Sequence, residues 1–587
     1  MKSKKYIYML ASVLALCGLI SCNDSYETYP VDQYTDDYVF STVDSTGKKA
    51  IQFLNYIYND IPSGHNRVGG DYLDDASGDA LSSSSSTTDV YKLLTGSYTA
   101  SNVVSSDMIW GSCYTCIRKC NILINGIDRV PFNIKYTDAL GDVRPLNVTM
   151  KAEAKFIRSY MYFLLLERYG GVPIVGDKVF DISSDVELPR NSFKQCVDYI
   201  VGQMDSIQDL LRSLPIADAS NYGHVVTKQA CMALKSRVLL YAASPLFNGN
   251  TLEKGDSLVG YIDYDASRWK LAVDAARDII TGYGDEGSNI LGLDPSFNNI
   301  FLNFYGGVDK EVIFSRQNGN GSTVERNNGP LGFSGTNLGY GRTCPTQNLV
   351  DAFPMKDGKS ITDATSAYKY DEQHPYNNRD PRLNYTVLYN GSPWLGTTLQ
   401  TYQGGNNNPS GGDYSQTGYF MRKFMGNFEN VAEYSDHLYN WVIFRYAEVL
   451  LNFAEAENEY LSSPSDEVYQ ALIALRKRAG IDAGDNGLYG LKAGMTKDEM
   501  REVIHNERRI ELAFEEHHYF DIRRWREAES IFATPVTGMQ IIPSSSGYIY
   551  QEQNLVNVTF TNKMYLYPIP YSEVIKNKNM VQNPNWK

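Results

Sequence analysis

Long apolar runs and positive charge are both in short supply in this sequence. Beyond residue 20, no segment comes near the eighteen or so uninterrupted apolar residues of a membrane-spanning helix. The chain has 54 Lys and Arg against 68 Asp and Glu, for a formal net charge of -14. The first absence excludes membrane-spanning helices beyond residue 20. The second argues against nucleic acid as a partner, because surfaces that bind nucleic acid concentrate positive charge.

Catalytic motifs are also missing. Neither a GxSxG nucleophile elbow nor a phosphate-binding P-loop occurs. His517 and His518 are adjacent rather than four residues apart, so they cannot share one helical face as zinc-protease ligands do. A glycosidase needs two facing carboxylates, and no motif singles out such a pair among the acidic residues. We therefore expect no catalytic residues, no bound metal, no cofactor and no enzymatic activity.

Cysteines are few. Cys113, Cys116 and Cys120 form the one cluster, at a spacing that places them on one face of a helix as small buried residues. A zinc site would need a second ligand pair, and neither another CxxC nor a spaced His pair is present. A metal or redox role is not expected, and the sequence leaves open whether any disulfide forms.

The amino terminus has the pattern of an export signal. Three lysines precede an apolar run over residues 7–20, and Ser21 is followed by Cys22. This predicts a lipoprotein signal peptide over residues 1–21, lipid attachment at Cys22 and a lipidated tether over residues 22–44. Several acyl chains on one residue would anchor the protein stably. The alternative is an ordinary secretory signal with an incidental cysteine.

Helical periodicity recurs through much of the chain and predicts a mainly α fold. Predicted helices cover residues 48–62, 110–127, 151–169, 192–214, 227–243, 267–281, 442–461, 466–479 and 497–529. Thr496 and Glu499 form a capping box at the start of the last helix, and residues 564–570 predict a final strand.

Two long stretches break this helical texture. Residues 63–107 are irregular, and residues 283–440 are rich in Gly, Asn, Tyr and Pro, which favours loops and short strands. The pattern predicts a tetratricopeptide-like scaffold of helical pairs with a large loop-rich insert and a few short strands. Its parts are a helical region over 45–282, a ligand-binding insert over 283–440 and a second helical region over 441–587.

An acidic group in the first irregular stretch raises the question of calcium. It comprises Asp71, Asp74, Asp75 and Asp79, which miss the EF-hand pattern. We expect these residues to lie in an exposed, solvated loop.

Seven segments in order resemble the SusD/RagB family of Bacteroidetes outer-membrane nutrient-binding proteins. They are EAKFIRSYMYFLLLERYGGVPIV, TKQACMALKSRVLLYAASPLFN, CPTQNLVDAFP, NNRDPRLNYTVLYNGSPW, FRYAEVLLNFAEAENE, HNERRIELAFEEHHYFDIRRW and MYLYPIPYSEVIKNKNMVQNPNW. The charged residues of the sixth segment, together with the neutral Asn506, are expected to fix that helix against its neighbours. They are Asn506, Arg508, Arg509, Glu511, Glu515, Asp521, Arg523 and Arg524.

The resemblance implies a non-catalytic binding protein with four tetratricopeptide-like units, anchored by lipid to the cell outer membrane and exposed at the surface. It implies a partner, a TonB-dependent SusC-like barrel transporter, to which the protein delivers oligosaccharides for polysaccharide utilisation. Peptide binding, as in the RagB branch, is the alternative. A secreted glycan hydrolase is a further one.

Aromatic residues are the positive sign of ligand binding, with 44 Tyr and 6 Trp. Flat rings pack on the C–H faces of sugars at little entropic cost, while polar side chains bind the hydroxyls. Glycan-binding members of the resembled family carry their aromatic platform on loops from two parts of the chain. The matching candidates for ligand contact are Tyr72, Tyr98, Asn102 and Trp110 in the first part and Tyr305, Phe333 and Tyr340 in the second.

Overall fold

The computed structural model describes residues 35–83, 86–181, 184, 186–216, 225–249, 252–302, 309–408 and 415–586. The predicted signal peptide, Cys22 and residues 23–34 of the tether lie outside these residues. Within them, no helix is both long enough and apolar enough to cross a membrane.

Helices make up most of the regular structure in these ranges. The α-helices are α1 (Asp36–Val39), α2 (Lys48–Tyr58), α3 (Asp89–Thr95), α4 (Trp110–Gly126), α5 (Leu146–Tyr169), α6 (Phe193–Ile207), α7 (Lys228–Ala243), α8 (Ser267–Tyr283), α9 (Thr323–Asn328), α10 (Gln347–Ala352), α11 (Arg382–Thr386), α12 (Tyr446–Tyr460), α13 (Asp466–Ala479), α14 (Lys497–Glu511), α15 (His517–Arg524), α16 (Ala528–Ile531) and α17 (Tyr571–Lys576).

The long helices form a frame in which each packs on its neighbours along the chain. Helix α4 packs on α5, α5 on α6, α6 on α7 and α7 on α8, and then α8 packs on α12, which also contacts α13 and α14. Helix α5 is buried on nearly every side, as expected for a central helix that is apolar over most of its surface. Side chains at helix starts fix the boundaries, including the predicted capping box of Thr496 and Glu499. The predicted mainly α scaffold of helical pairs is confirmed.

Strands are short and pair antiparallel, two by two, in the described ranges. They are β1 (Ala80–Ser82), β2 (Lys135–Thr137), β3 (Val143–Pro145), β4 (Val312–Arg316), β5 (Asn320–Gly321), β6 (Thr343–Pro345), β7 (Val387–Leu388), β8 (Pro393–Trp394), β9 (Thr397–Thr398), β10 (Phe420–Met421), β11 (His437–Leu438), β12 (Trp441–Arg445), β13 (Val536–Ser544) and β14 (Gly547–Val556). The pairs are β1–β6, β2–β3, β4–β12, β5–β11, β7–β10, β8–β9 and β13–β14.

Three predicted elements differ in the structure. The helix predicted over 442–461 begins only at Tyr446, because the β-branched and aromatic run before it forms β12 and pairs with β4. The helix predicted over 497–529 is broken into α14, α15 and α16. Phe514 and Glu516 adopt left-handed backbone angles there, and the Phe514 N–H donates to Asp74 Oδ1 at 3.1 Å.

The predicted final strand is also wrong. Residues 566–570 pair with no strand among the described residues, and the Tyr567 N–H donates instead to the carbonyl of Arg168, in α5, at 2.8 Å. The longest strands, β13 and β14, were not predicted. The first residues of β13 are buried in succession rather than alternately, because this strand also packs on α10 and on Thr417. Its sequence therefore lacks the alternation of apolar and polar residues that indicates a strand.

A cluster of buried charges joins the carboxyl-terminal helices to the insert. We call it the charge cluster: Glu311, Arg382, Arg445, Arg478, Glu511 and Glu515. Arg445 Nη1 lies 2.7 Å from both Glu311 Oε1 and Glu511 Oε1, and its Nη2 lies 2.8 Å from Glu515 Oε1. Burial alone would raise the pKa of Glu511, yet the guanidinium groups of Arg478, Arg445 and Arg382 hold it well below its usual range.

Other charged residues of the sixth segment also form ion pairs, whereas Arg523 donates to the carbonyl of Tyr519. Arg508 donates to Asp521 at 2.7 Å, Arg524 donates to Glu455, and Arg509 donates to Asp79 at 2.8 Å. The segment therefore fixes helices against their neighbours, as predicted, although most partners lie outside its own helix.

Candidate functional site

The two loop regions singled out in the sequence meet in the structure. Strand β1 pairs with β6, and the amides of Asn66 and Asn328 exchange hydrogen bonds of 2.9 and 3.0 Å. Arg342 donates from Nε to Asp71 Oδ1 and from Nη2 to the Gly69 carbonyl, both at 2.9 Å. The contact between the regions is therefore built largely from buried backbone and polar groups.

Beside this contact, three side chains form a surface that we call the loop face: Arg326, Tyr340 and Tyr434. Arg326 is exposed on α9, Tyr340 is 44% exposed, and Tyr434 is half-buried. The Arg326 guanidinium lies 5.9 Å from the centre of the Tyr340 ring. This distance is within the range of a cation–π contact.

Backbone pairing fixes the position of Tyr340. Its N–H donates to the Arg326 carbonyl at 2.9 Å, and the Arg342 N–H donates to the Asn327 carbonyl at 2.9 Å. Gly341 lies between them with φ +54°, and a Cβ there would come within 2.6 Å of the Phe420 ring. Only glycine fits this turn without strain.

Glu325 and His437 pair beneath the loop face. His437 Nε2 lies 2.5 Å from Glu325 Oε1, which also accepts the Gly426 N–H at 2.8 Å. Burial alone would lower the pKa of His437, but the hydrogen bond to Glu325 raises it above its ordinary value. Burial and the charge of Glu325 raise the pKa of Tyr434 to about 12. The phenol of Tyr434 therefore stays neutral and able to donate a hydrogen bond at neutral pH.

This arrangement suits binding. Exposed aromatic rings can stack on a flat apolar ligand face, and the guanidinium and phenol groups can bind hydroxyl or carbonyl oxygens.

Three predicted contact residues are buried in the core. Tyr72 stacks on Phe424 with ring centres 5.8 Å apart, and its hydroxyl lies 2.7 Å from His65 Nδ1. Tyr98 stacks on Trp586 at 5.1 Å, and Trp110 packs edge-on against Tyr169 at 5.1 Å. They are at most 5% exposed. Because packing covers their rings, these three residues offer no face to a ligand in this structure, which corrects the prediction.

The other four predicted contact residues differ in where they lie. Tyr340 lies on the loop face, whereas Phe333 is half-buried and packs against the core. Asn102 is exposed in a turn in which its N–H and carbonyl pair with Thr99. Its backbone hydrogen bonds stay within this turn and do not reach the loop face. Tyr305 lies outside the described residues. Ligand contact by Asn102, Phe333 and Tyr340 stays a prediction.

The acidic group is not the exposed loop that was expected. Asp71, Asp74, Asp75 and Asp79 are each no more than 1% exposed. Their partners explain this burial: Arg342 pairs with Asp71, Arg509 pairs with Asp79, and Thr343 donates to Asp75. Burial raises the pKa of Asp74 and Asp75 well above the usual range.

Potential metal ligands do not converge in the described chain. Across these ranges, no group of three or more His, Cys, Asp or Glu side chains is arranged to hold a metal ion. The described cysteines are all buried and unpaired, including the helical trio Cys113, Cys116 and Cys120. Their role as small buried residues is confirmed.

Two residues of the loop face were missed in the sequence. Arg326 lies in a Gly- and Asn-rich stretch that predicts no helix, and Tyr434, although within the predicted insert, is far in sequence from Arg326 and Tyr340. Pairing between β5 and β11 brings residues 437–438 to residues 320–321, and Tyr434 follows into place. No short-range signal in the sequence indicates that pairing.

Clefts also occur on the helical frame. One lies between α8, α12 and α13, with Arg277, Tyr446 and Phe453 in its wall, and a second lies where Lys228 and Lys235 face Tyr283. Arg277 forms ion pairs with Glu457 and Glu467, so carboxylates of the frame already balance its charge.

Comparison with protein families identifies the chain. A family model described as "SusD family" matches residues 310–586, and a second, "Starch-binding associating with outer membrane", matches residues 32–240. The chain belongs to the SusD/RagB family. The resemblance seen in the sequence is thus confirmed. A SusD-like protein of Formosa agariphila is 25% identical over 445 residues, which cover 74% of this chain and 73% of that protein.

Solved structures of SusD-like proteins share the fold. One from Bacteroides fragilis has 25% identity and a TM-score of 0.74, covering 95% of this chain and 99% of its own. A SusD-like carbohydrate-binding protein from the same organism has 22% identity and a TM-score of 0.70, with 91% and 99% covered. A laminarin-binding SusD-like protein has 17% identity and a TM-score of 0.63, with 92% and 100% covered. The last two show the fold alone.

Proposed function

We propose that this chain is a non-catalytic cell-surface protein that binds oligosaccharides on its loop face. Membership of the SusD/RagB family supports a glycan-binding role, and two relatives of the same fold carry carbohydrate or laminarin binding in their names. The observation that carries the proposal is Tyr340, an exposed ring on a hydrogen-bonded backbone beside the exposed Arg326. A fixed ring loses little entropy when a sugar stacks on it.

Isothermal titration of the mature chain against maltoheptaose, laminarihexaose and xylohexaose tests the binding. We expect heat from at least one of them, and at least a fivefold weaker affinity for Tyr340→Ala and for Arg326→Ala. Tyr460→Ala is the matched control, because Tyr460 is 41% exposed at the end of α12 on the frame. Heat from peptides but from no glycan would move the protein to the peptide-binding alternative. Turnover of a glycan would favour a hydrolase.

We further propose that Cys22 anchors the chain to the outer membrane, where it delivers ligand to a TonB-dependent SusC-like transporter. The family model named for association with the outer membrane supports this location. Cys22→Ser should release the protein from the membrane fraction, and surface protease on whole cells should degrade the wild-type protein. A SusC-like barrel should co-purify with the wild-type protein. Retention of the Cys22→Ser variant in the membrane would contradict lipid anchoring.

A further inference from the structure

Five tyrosines outside the loop face gather beside the β13–β14 hairpin. We call this group the tyrosine patch: Tyr376, Tyr389, Tyr402, Tyr548 and Tyr550. They come from four separate segments of the chain, so local sequence does not bring them together. Tyr548 is 43% exposed, and the other four are half-buried.

The rings form two stacked pairs joined by a fifth tyrosine. Tyr376 and Tyr389 stack with centres 4.0 Å apart, and Tyr402 and Tyr548 stack at 4.9 Å. Tyr550 packs edge-on against Tyr376 at 5.9 Å. Tyr548 is the most exposed of the five, and its ring is stacked on Tyr402.

Amide side chains hold this geometry. Gln373 brackets Tyr550, accepting its N–H at 3.1 Å and donating to its carbonyl at 3.2 Å. Asn390 donates to the Tyr550 hydroxyl at 3.2 Å and accepts the Thr401 N–H at 3.1 Å, which fixes the segment of Tyr402. The rings are thus placed before any ligand arrives, and ordering them on binding costs little.

The chemistry of the surroundings indicates the class of ligand. Residues 399–408 and 541–551, which carry Tyr402, Tyr548 and Tyr550, contain no charged side chain but several Asn, Gln and Ser. Flat rings among neutral amides and hydroxyls fit a neutral sugar chain, whose rings present both C–H faces and hydroxyls. These segments offer no charged partner, although Asp371, Glu372 and His374 flank Gln373 and Glu552 follows Gln551.

The patch is also connected to the loop that leads to Tyr340. Asn407 Nδ2 donates to the Leu331 carbonyl, and a Cβ on Gly332 would come within 2.3 Å of the Asn406 carbonyl, so residues 406–407 pack directly on residues 331–332. On its other side, the Gln403 N–H donates to the Ile541 carbonyl of β13 at 2.8 Å. The uncharged segment 399–408 therefore connects the loop that leads to Tyr340 with the hairpin.

We propose that the tyrosine patch is a second binding surface for the same neutral glycan, so that a long chain contacts both surfaces while a short one occupies the loop face alone. This inference rests on the proposed function. Two linked contacts raise the affinity for a polymer above that of either one, because binding at the first surface concentrates the chain at the second.

The test compares polymer with short oligosaccharide. Affinity electrophoresis with amylopectin, laminarin and xylan, and titration with the matching hexasaccharides, are run on wild type, Tyr548→Ala, Tyr402→Ala, Tyr548→Trp and the control Tyr460→Ala. We expect both alanine variants to bind the polymer about three- to tenfold more weakly, the effect of losing one aromatic contact, with unchanged affinity for the hexasaccharide. Tyr548→Trp keeps a flat ring and should retain binding, and circular dichroism checks folding.

The outcomes separate the two proposals. Wild type that binds no glycan at all overturns the proposed function. Wild type that binds, together with Tyr548→Ala and Tyr402→Ala variants of unchanged polymer affinity, overturns the second surface alone. An equal loss for polymer and hexasaccharide would make the patch the primary site and also overturns the inference.

Discussion

The charge cluster and the loop face use similar residue types in opposite ways. In the charge cluster, Arg445 is 1% exposed and bound on several sides by carboxylates. On the loop face, Arg326 is exposed beside an exposed tyrosine. Tyrosines divide in the same way, since Tyr72 is fully buried and Tyr340 is 44% exposed.

This difference teaches that burial and pairing, rather than residue type, separate the frame from the binding surface. A buried guanidinium that loses its partners leaves charges unpaired in a region of low dielectric, whereas an exposed one is solvated by water. Substitutions in the charge cluster should therefore act on stability, and those on the loop face on affinity.

The largest expected effect is on Arg445. Arg445→Met would leave Glu311, Glu511 and Glu515 without their shared partner and should lower the free energy of unfolding by about 3–5 kcal/mol. Urea unfolding of this variant and of the exposed control Arg326→Met measures the contrast. The control should change by no more than about 0.5 kcal/mol. A loss below about 1 kcal/mol for Arg445→Met would contradict the structural role of the cluster.

The next largest effect is expected at low pH, on the stability of the helical frame. Burial alone would raise the pKa of Glu455, but Arg524 lowers it from 4.5 to about 2. A carboxylate with a lowered folded pKa stabilises the fold above its unfolded pKa, and that contribution is lost as the pH falls from about 4.5 towards 2. The shift corresponds to roughly 3 kcal/mol.

Urea unfolding between pH 6 and 3 measures this effect. The stability advantage of wild type over Glu455→Gln should narrow as the pH falls through this window. Glu502→Gln, at an exposed position of α14, is the control. An advantage that stays constant with pH would show that Glu455 does not titrate as the structure indicates.

A smaller effect is expected at Tyr72. Tyr72→Phe keeps the buried ring and removes the hydroxyl bonded to His65, so it should cost about 1 kcal/mol of stability and leave ligand affinity unchanged. Thermal unfolding and glycan titration on the same sample check both parts. Normal stability with weaker glycan binding would show that Tyr72 contacts the ligand. It would contradict the distinction between buried frame residues and exposed binding residues.

The smallest effect on stability is expected on the loop face itself. Tyr340→Ser should change the free energy of unfolding by no more than about 0.5 kcal/mol, because Tyr340 lies on the exposed surface and outside the core. Its effect should instead be measurable as weaker binding in the titration described above. A clear loss of stability with normal affinity would assign Tyr340 to the frame.

Much of the frame was predictable from sequence because its helices carry clear periodicity and caps. The helix predicted over 466–479 matches α13, and Thr496 caps α14 as expected. The family resemblance was likewise readable from ordered segments. These signals are local or span a few tens of residues.

The site was less predictable because exposure depends on contacts between distant segments. Tyr72, in an irregular loop, gave the same local signal as Tyr340, and only the packing of Phe424 and Phe514 around it decides that it is buried. The tyrosine patch required the pairing of β13 with β14 and the docking of four segments. The acidic group was misread for the same reason, since Arg342 and Arg509 lie hundreds of residues away in sequence.

One consequence of the buried cysteines concerns how motion of the loop face could be followed. Cys344, on β6, donates from Sγ to the carbonyl of Gly341, next to Tyr340, and burial raises the pKa of its thiol to about 12. A thiolate is the reactive form, so the folded protein should be inert to thiol reagents until this strand opens. The rate of Cys344 alkylation would then report opening beneath Tyr340, and slowing of that rate by a bound ligand would report closure, with no probe added to the chain.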